Sequence, residues 1–132
     1  MRASLSLGSV LLIVLAGCSE EREASRVRSP DGQLDAVHVE SSGGGATVGK
    51  FDDAYVQGPA TGNRKMAVIS GYRLGCFSLA WAANRKLVVK YSPLSEGSIE
   101  TMPADSAIPF PNSPAESLWV NYEAQPRASC QR

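Results

Sequence analysis

The chain has 132 residues, with 13 basic and 13 acidic side chains, one histidine and three cysteines. That length suits a single domain able to bury a core. A formal net charge of zero argues against the basic face that phosphate backbones require, so nucleic acid is not an expected partner.

Met1-Arg2-Ala3-Ser4 carries one positive charge and is followed by an apolar run from Leu5 to Ala16. A short basic segment before about 7–15 apolar residues is the layout of a secretory signal. The run is shorter than the ~20 residues needed to span a bilayer, and it ends against the polar segment Ser19-Glu20-Glu21-Arg22-Glu23. Residues 1–17 therefore read as a cleaved signal peptide.

Leu15-Ala16-Gly17-Cys18 resembles the lipobox of bacterial lipoproteins. Small residues at Ala16 and Gly17 let the backbone lie extended in a peptidase groove, with Leu15 completing the recognition segment. The resemblance implies a diacylglyceryl thioether on the Cys18 thiol, cleavage before that cysteine and acylation of the new amino group. Two or three acyl chains give stable anchoring where one gives only reversible binding. Ser19 after the cysteine resembles the outer-membrane-sorted class, which in a Gram-negative cell implies the periplasmic face of that membrane. The expected partners are the membrane, through the lipid, and another envelope protein. Loss of Arg2 with the signal leaves residues 18–132 with a net charge of −1.

With Cys18 taken by lipid, Cys76 and Cys130 remain as a candidate disulfide in an exported chain. Residues 18–29, charged and without turn chemistry, read as the lipidated cysteine and a flexible polar tether. Residues 30–132 read as a small β-rich domain.

Ser29-Pro30-Asp31-Gly32 is a turn, because Pro presets φ, Asp bonds its own backbone and Gly takes positive φ. It feeds a strand from Leu34 to Glu40. Ser41 to Gly45 breaks that strand, and Thr47 to Val56 forms a second, with Val48, Phe51, Tyr55 and Val56 as its apolar residues. Gly49 and Asp52-Asp53 suggest a bulge or an irregular middle in it. Gly58 to Lys65 is a loop, and Met66 to Ser70 a short buried strand. Phe77, Leu79 and Trp81 alternate with small residues. After a tight connection at Ala82 to Arg85, Leu87, Val89 and Tyr91 alternate in turn, so the pair predicts a β-hairpin with an aromatic core face. Ile99 sits in a weak strand. Pro103, Pro109, Pro111 and Pro114 make residues 102–117 a long loop or an edge-hugging segment. Leu118, Val120 and Tyr122 mark a last strand. The predicted fold is all-β or mainly β: one antiparallel meander sheet or sandwich of about six strands.

The residues offer little catalytic equipment. His38 stands alone between valines, and no G-x-S-x-G elbow is present. Cys76 with His38 is a conceivable nucleophile pair that a disulfide would abolish. One histidine and no C-x-x-C exclude the usual zinc patterns, and Asp52-Asp53 would need the bulge to converge on calcium. No metal site, cofactor or catalytic residue is assigned. Gly43-Gly44-Gly45-Ala46-Thr47 lacks the G-K-[ST] ending of a phosphate loop. Gly43, Gly44, Gly45 and Thr47 are still where backbone can approach a small ligand closely.

Ser29-Pro30-Asp31-Gly32, the strand ending at Glu40, Gly45-Ala46-Thr47, Leu79-Ala80-Trp81 and Leu87 to Tyr91 together resemble a family of small exported bacterial proteins without an assigned activity. Gly44 stands where some members carry a cysteine, so no disulfide pattern transfers. The S-P-D-G turn and later Trp are also similar to one blade of a TolB-type β-propeller, but closure needs about 4–8 blades and no repeat is present. The leading expectation is a membrane-anchored envelope lipoprotein with a non-enzymatic interaction or structural domain. The alternatives are a small envelope hydrolase using His38 and a ligand-binding module around Gly43 to Thr47.

Overall fold

The Ser29-Pro30-Asp31-Gly32 turn forms by the expected chemistry. Gly32 N–H donates to the Ser29 carbonyl at 2.9 Å. Asp31 Oδ1 accepts from Ser29 Oγ at 2.7 Å and from Gln33 N–H at 3.1 Å, and Gly32 has φ +73°. The computed structural model describes residues 20–42, 50–93 and 104–130. Within them the turn joins the first two strands of an antiparallel sheet: β1 (Glu20–Arg28), β2 (Asp35–Ser42), β3 (Lys50–Gln57) and β4 (Met66–Tyr72), in that spatial order.

The second sheet contains β5 (Gly75–Ala83), β6 (Lys86–Ser92), β7 (Ser106–Phe110) and β8 (Ser113–Ala124), in the order β5-β6-β8-β7. The predicted hairpin is β5–β6, with Leu79 opposite Val89 and Trp81 opposite Leu87. The all-β expectation holds, and the architecture is a sandwich. Leu34, Ala36, Ala54, Val56, Met66 and Ile69 from the first half join Leu79, Leu87, Val89, Tyr91, Phe110, Leu118 and Val120 from the second in one buried cluster.

Three polar contacts tie the two halves. Trp81 Nε1–H donates to the Val27 carbonyl at 2.8 Å, and Tyr122 O–H to the Val68 carbonyl at 2.6 Å. The Arg85 guanidinium donates to Asp31 Oδ2 at 2.9 Å. The first two satisfy polar tips that would otherwise be stranded at the edge of an apolar core, and the third is an ion pair near solvent.

Several expectations are corrected. The polar segment read as a tether is β1 from Glu20 onward, paired with β2 from Glu20↔Ser42 to Arg28↔Asp35. An edge strand needs only one apolar row, and here Val27 packs against the core while Arg22, Arg26 and Arg28 reach carboxylates on β2. The described residues hold eight strands rather than about six. The sheet is not wholly antiparallel, because β6 and β8 pair in parallel. Of the two readings of the proline-rich stretch, the long loop is corrected: the stretch contains β7, at the edge of its sheet, and the start of β8. Pro109 is tolerated because β7 is an edge strand.

The bulge at Asp52-Asp53 is absent. β2 and β3 pair without interruption from Asp35↔Gln57 to Ser42↔Lys50, so Asp52 points inward and Asp53 outward. The inward row of β3 is therefore Asp52, Ala54 and Val56, while Phe51 is 39% exposed. The irregularity falls instead on β4, where the register shifts between Ala54/Ile69 and Tyr55/Ala67. The extra residue, Val68, lets the consecutive Val68 and Ile69 both be buried. The predicted strand around Ile99 lies outside the described residues.

Candidate functional site

β2 and β3 place His38, Glu40 and Asp52 on the inward face near the Glu20 end of the sandwich. Residues two apart on a strand share a face, and Glu40 lies directly opposite Asp52. His38 Nε2 and Asp52 Oδ1 are 2.8 Å apart, with both side chains buried. The imidazole stacks on Phe77 of the facing sheet, ring centroids 4.1 Å apart. His38 is therefore a buried inter-sheet residue rather than a surface or half-buried one.

Ligand atoms of His38, Glu40 and Asp52 all lie within 4.8 Å of one another. Composition alone had assigned no such cluster, because its partners come from two strands. Its charges are already balanced. Glu40 Oε2 accepts from Arg22 at 2.5 Å and Glu40 Oε1 from Lys50 at 2.7 Å. Bonds from Lys50 and then Arg22 hold the Glu40 carboxyl below its ordinary range. A divalent cation here would have to displace the Arg22 guanidinium and the Lys50 ammonium from one carboxylate, so the trio is a hydrogen-bonded network with its Glu40 already paired rather than an assembled metal centre.

A second feature lies on the outer face of the β5–β8 sheet. A groove of about 670 Å³ is lined by Ala82, Lys86, Val88, Asp105, Trp119 and Asn121, among others. Its volume falls in the ~300–1,000 Å³ range of ligand clefts. Trp119 is 56% exposed, although alternation in β8 turns Leu118 and Val120 into the core. Its backbone is fixed, since Trp119 N–H donates to the Arg85 carbonyl at 2.8 Å. At the rim, Asp105 Oδ2 accepts from Asn121 Nδ2 at 2.8 Å and Oδ1 from Tyr122 N–H at 2.9 Å. The groove's polar groups are thus held in place before any ligand arrives. The alternation Leu118-Trp119-Val120 was the available signal: in a strand with its apolar row on Leu118 and Val120, the intervening Trp must face outward.

Cys76 and Cys130 lie at disulfide-bonding distance, Cα atoms 5.1 Å apart across a sequence separation of 54. This joins β5 to the C-terminal 3-10 turn at Arg127–Cys130 and removes Cys76 as a nucleophile for His38. Leu15, Ala16, Gly17 and Cys18 lie outside the described residues, as do Gly43, Gly44, Gly45 and Thr47. Among the described residues no helix is long and apolar enough to cross a membrane.

No family model, curated protein or solved structure matches this chain.

Proposed function

We propose that this protein is a lipid-anchored bacterial envelope lipoprotein whose β-sandwich is a non-enzymatic interaction module. The observation that carries the reading is the cysteine arrangement. With Cys76 and Cys130 at bonding distance, Cys18 is the cysteine left for modification, and it stands at the end of Leu15-Ala16-Gly17. A disulfide between β5 and the C-terminal 3-10 turn suits an oxidising compartment outside the cytoplasm. The preformed groove under Trp119 supports the interaction role.

β1 sharpens the proposed anchoring. Since the strand begins at Glu20, two peptide units separate it from Cys18, a reach of about 7 Å. The sandwich sits close against the membrane instead of on a stalk of a dozen residues. Labelled palmitate should enter the chain, and Cys18→Ala should abolish labelling and release the protein from the membrane fraction. Undiminished labelling of that variant would refute the anchor.

A second reading, a small envelope hydrolase using His38, is favoured by the Asp52 contact, which orients an imidazole as an acid–base catalyst requires. Ser25 lies opposite His38 in the β1–β2 register and is the hydroxyl that reading would recruit. A hydrolase would lose all turnover of envelope substrates in His38→Ala and in Ser25→Ala. An interaction module would keep its phenotype in Ser25→Ala.

A further inference from the structure

The exposed Trp119 groove differs from an ordinary protein-docking face. Its apolar lining is Ala82 and Val88 with the core residues Leu87 and Val120, which are buried and offer no anchor, around one large exposed aromatic ring. Among the described residues the only other exposed large hydrophobic is Phe51, which belongs to the other sheet. A protein interface of standard size buries about 800 Å² per partner around several large apolar anchors, and this face lacks them. What it has is one flat indole beside planar hydrogen-bonding groups and an ammonium.

That combination matches a sugar ring. A pyranose presents several C–H bonds on one face, and their slight positive charge is attracted to the negative face of an aromatic ring. Its equatorial hydroxyl and amide groups project sideways, toward donors and acceptors in the plane of the ring. Asn121 and Asp105 supply such groups at the rim and are already bonded to each other at 2.8 Å. Asp105 is held further by the Tyr122 N–H, so neither side chain has to be ordered on binding. Lys86 also lines the groove and makes no ion pair with any described residue, whereas Lys90 on the same outer row pairs with Glu123 at 3.7 Å. An ammonium without an ion-pair partner among the described residues, set beside a stacking platform, complements a glycan that carries carboxylates.

Placement agrees. Trp119 lies opposite Lys86, at the start of β6. The β5–β6 turn there is tied through Arg85 to Asp31, beyond the Arg28 end of β1. The groove is thus at the end of the sandwich away from Glu20, where a proposed membrane anchor would leave it open to a polymer lying off the bilayer.

We propose that the outer face of the second sheet binds an acidic glycan strand of the cell wall. Trp119 stacks on a sugar ring, Asn121 and Asp105 bond its hydroxyl or amide groups, and Lys86 pairs with a carboxylate. This inference rests on the extracytoplasmic interaction reading above and names the ligand class of that module.

The test is co-sedimentation of the full chain, extracted in mild detergent, with insoluble wall sacculi and separately with chitin, a neutral amino-sugar polymer. Wild-type protein should be retained on sacculi, and Trp119→Ala should weaken retention by about tenfold or more with an unchanged melting temperature. Lys86→Ala should weaken retention on sacculi while leaving any retention on chitin unaltered. Equal retention of wild type and Trp119→Ala, or no retention on either polymer, would overturn the proposal. If neither polymer retains the chain but Trp119→Ala abolishes cross-linking to a defined envelope protein, the glycan assignment falls while the interaction reading stands. Palmitate labelling decides the anchor independently of all these outcomes.

Discussion

His38 on β2 and Asp52 on β3 meet at 2.8 Å in the interior of the sandwich, under the ring of Phe77. The two residues face the same way but are not directly opposite, since His38 pairs with Ala54 and Asp52 with Glu40. Their bond therefore runs diagonally across the ladder. It gives each buried polar group the partner that burial demands.

Removing one partner should hurt more than removing both. Asp52→Ala leaves a buried imidazole unpaired and should lower stability by about 1–3 kcal/mol. Pairing Asp52→Leu with His38→Phe removes both polar groups and should recover much of the loss. Urea unfolding of the wild type, the single variants and the double variant gives the coupling, expected at about 0.5–3 kcal/mol. Additive losses would show that the contact contributes nothing specific.

The link between Cys76 and Cys130 closes a loop across a separation of 54 residues. By loop-closure entropy it stabilises the fold by about 4 kcal/mol. Cys130→Ser should lower the melting temperature markedly, and alkylation after denaturation should change gel mobility in the wild type only when reductant is present. Identical mobility with and without reductant would rule the bond out.

Among the described residues, three carboxylates are held below their ordinary range. In Glu40 the cause is bonding from Lys50 and then Arg22. In Asp31 the Ser29 hydroxyl contributes most, with Gln33 N–H and Arg85 adding to it. In Asp35 burial pushes upward, but Arg28 and Arg26 together outweigh it. A carboxyl with a lower pKa in the folded state stabilises the fold above its unfolded pKa. That contribution is lost as pH falls through the folded value. Melting temperature should therefore drop progressively below about pH 4, and added salt should shrink the drop because these pairs lie near solvent. The combination Arg22→Ala with Lys50→Ala should flatten the acid limb by removing the Glu40 share. An unaltered limb would show that Glu40 does not contribute.

Gly58 is required by close approach. A Cβ there would lie 2.3 Å from the Gln33 carbonyl oxygen, where the chain leaving β3 crosses the segment entering β2. Gly58→Ala should cost about 1–3 kcal/mol, as overpacking does, measured by chemical denaturation. A neutral substitution would mean that the Gln33–Leu34 backbone shifts freely.

The β5–β6 hairpin was legible because each strand places its large apolar residues at every second position: Leu79 and Trp81 in one, Leu87, Val89 and Tyr91 in the other. The inward row of β3 was not, because it contains a carboxylate. Phe51 and Tyr55 are two of the strand's apolar residues, yet the actual parity is set by Val56 and Ala54 and carries Asp52 inward to meet His38. Nothing local to Asp52 signals that partner. It comes from the β2–β3 register, which a glycine-rich connection leaves open in sequence. The parallel β6–β8 pairing was hidden for a similar reason. A parallel partner follows a crossover and leaves no turn signature. β7 escaped notice because its prolines read as breakers, and only its edge position makes them acceptable.

β1 also determines how the folded protein coexists with its neighbours. Its sequence is dominated by Glu20, Glu21, Arg22, Glu23, Arg26 and Arg28, and it covers one side of β2, in which Val37 and Val39 are both buried. A strand rich in valine with an open ladder is a template for any other extended chain, whereas a densely charged edge resists such pairing. The same charges that make β1 look like a spacer let it seal the sheet. Proteolytic loss of that strand would uncover the backbone of β2 and turn a discrete particle into a unit able to polymerise.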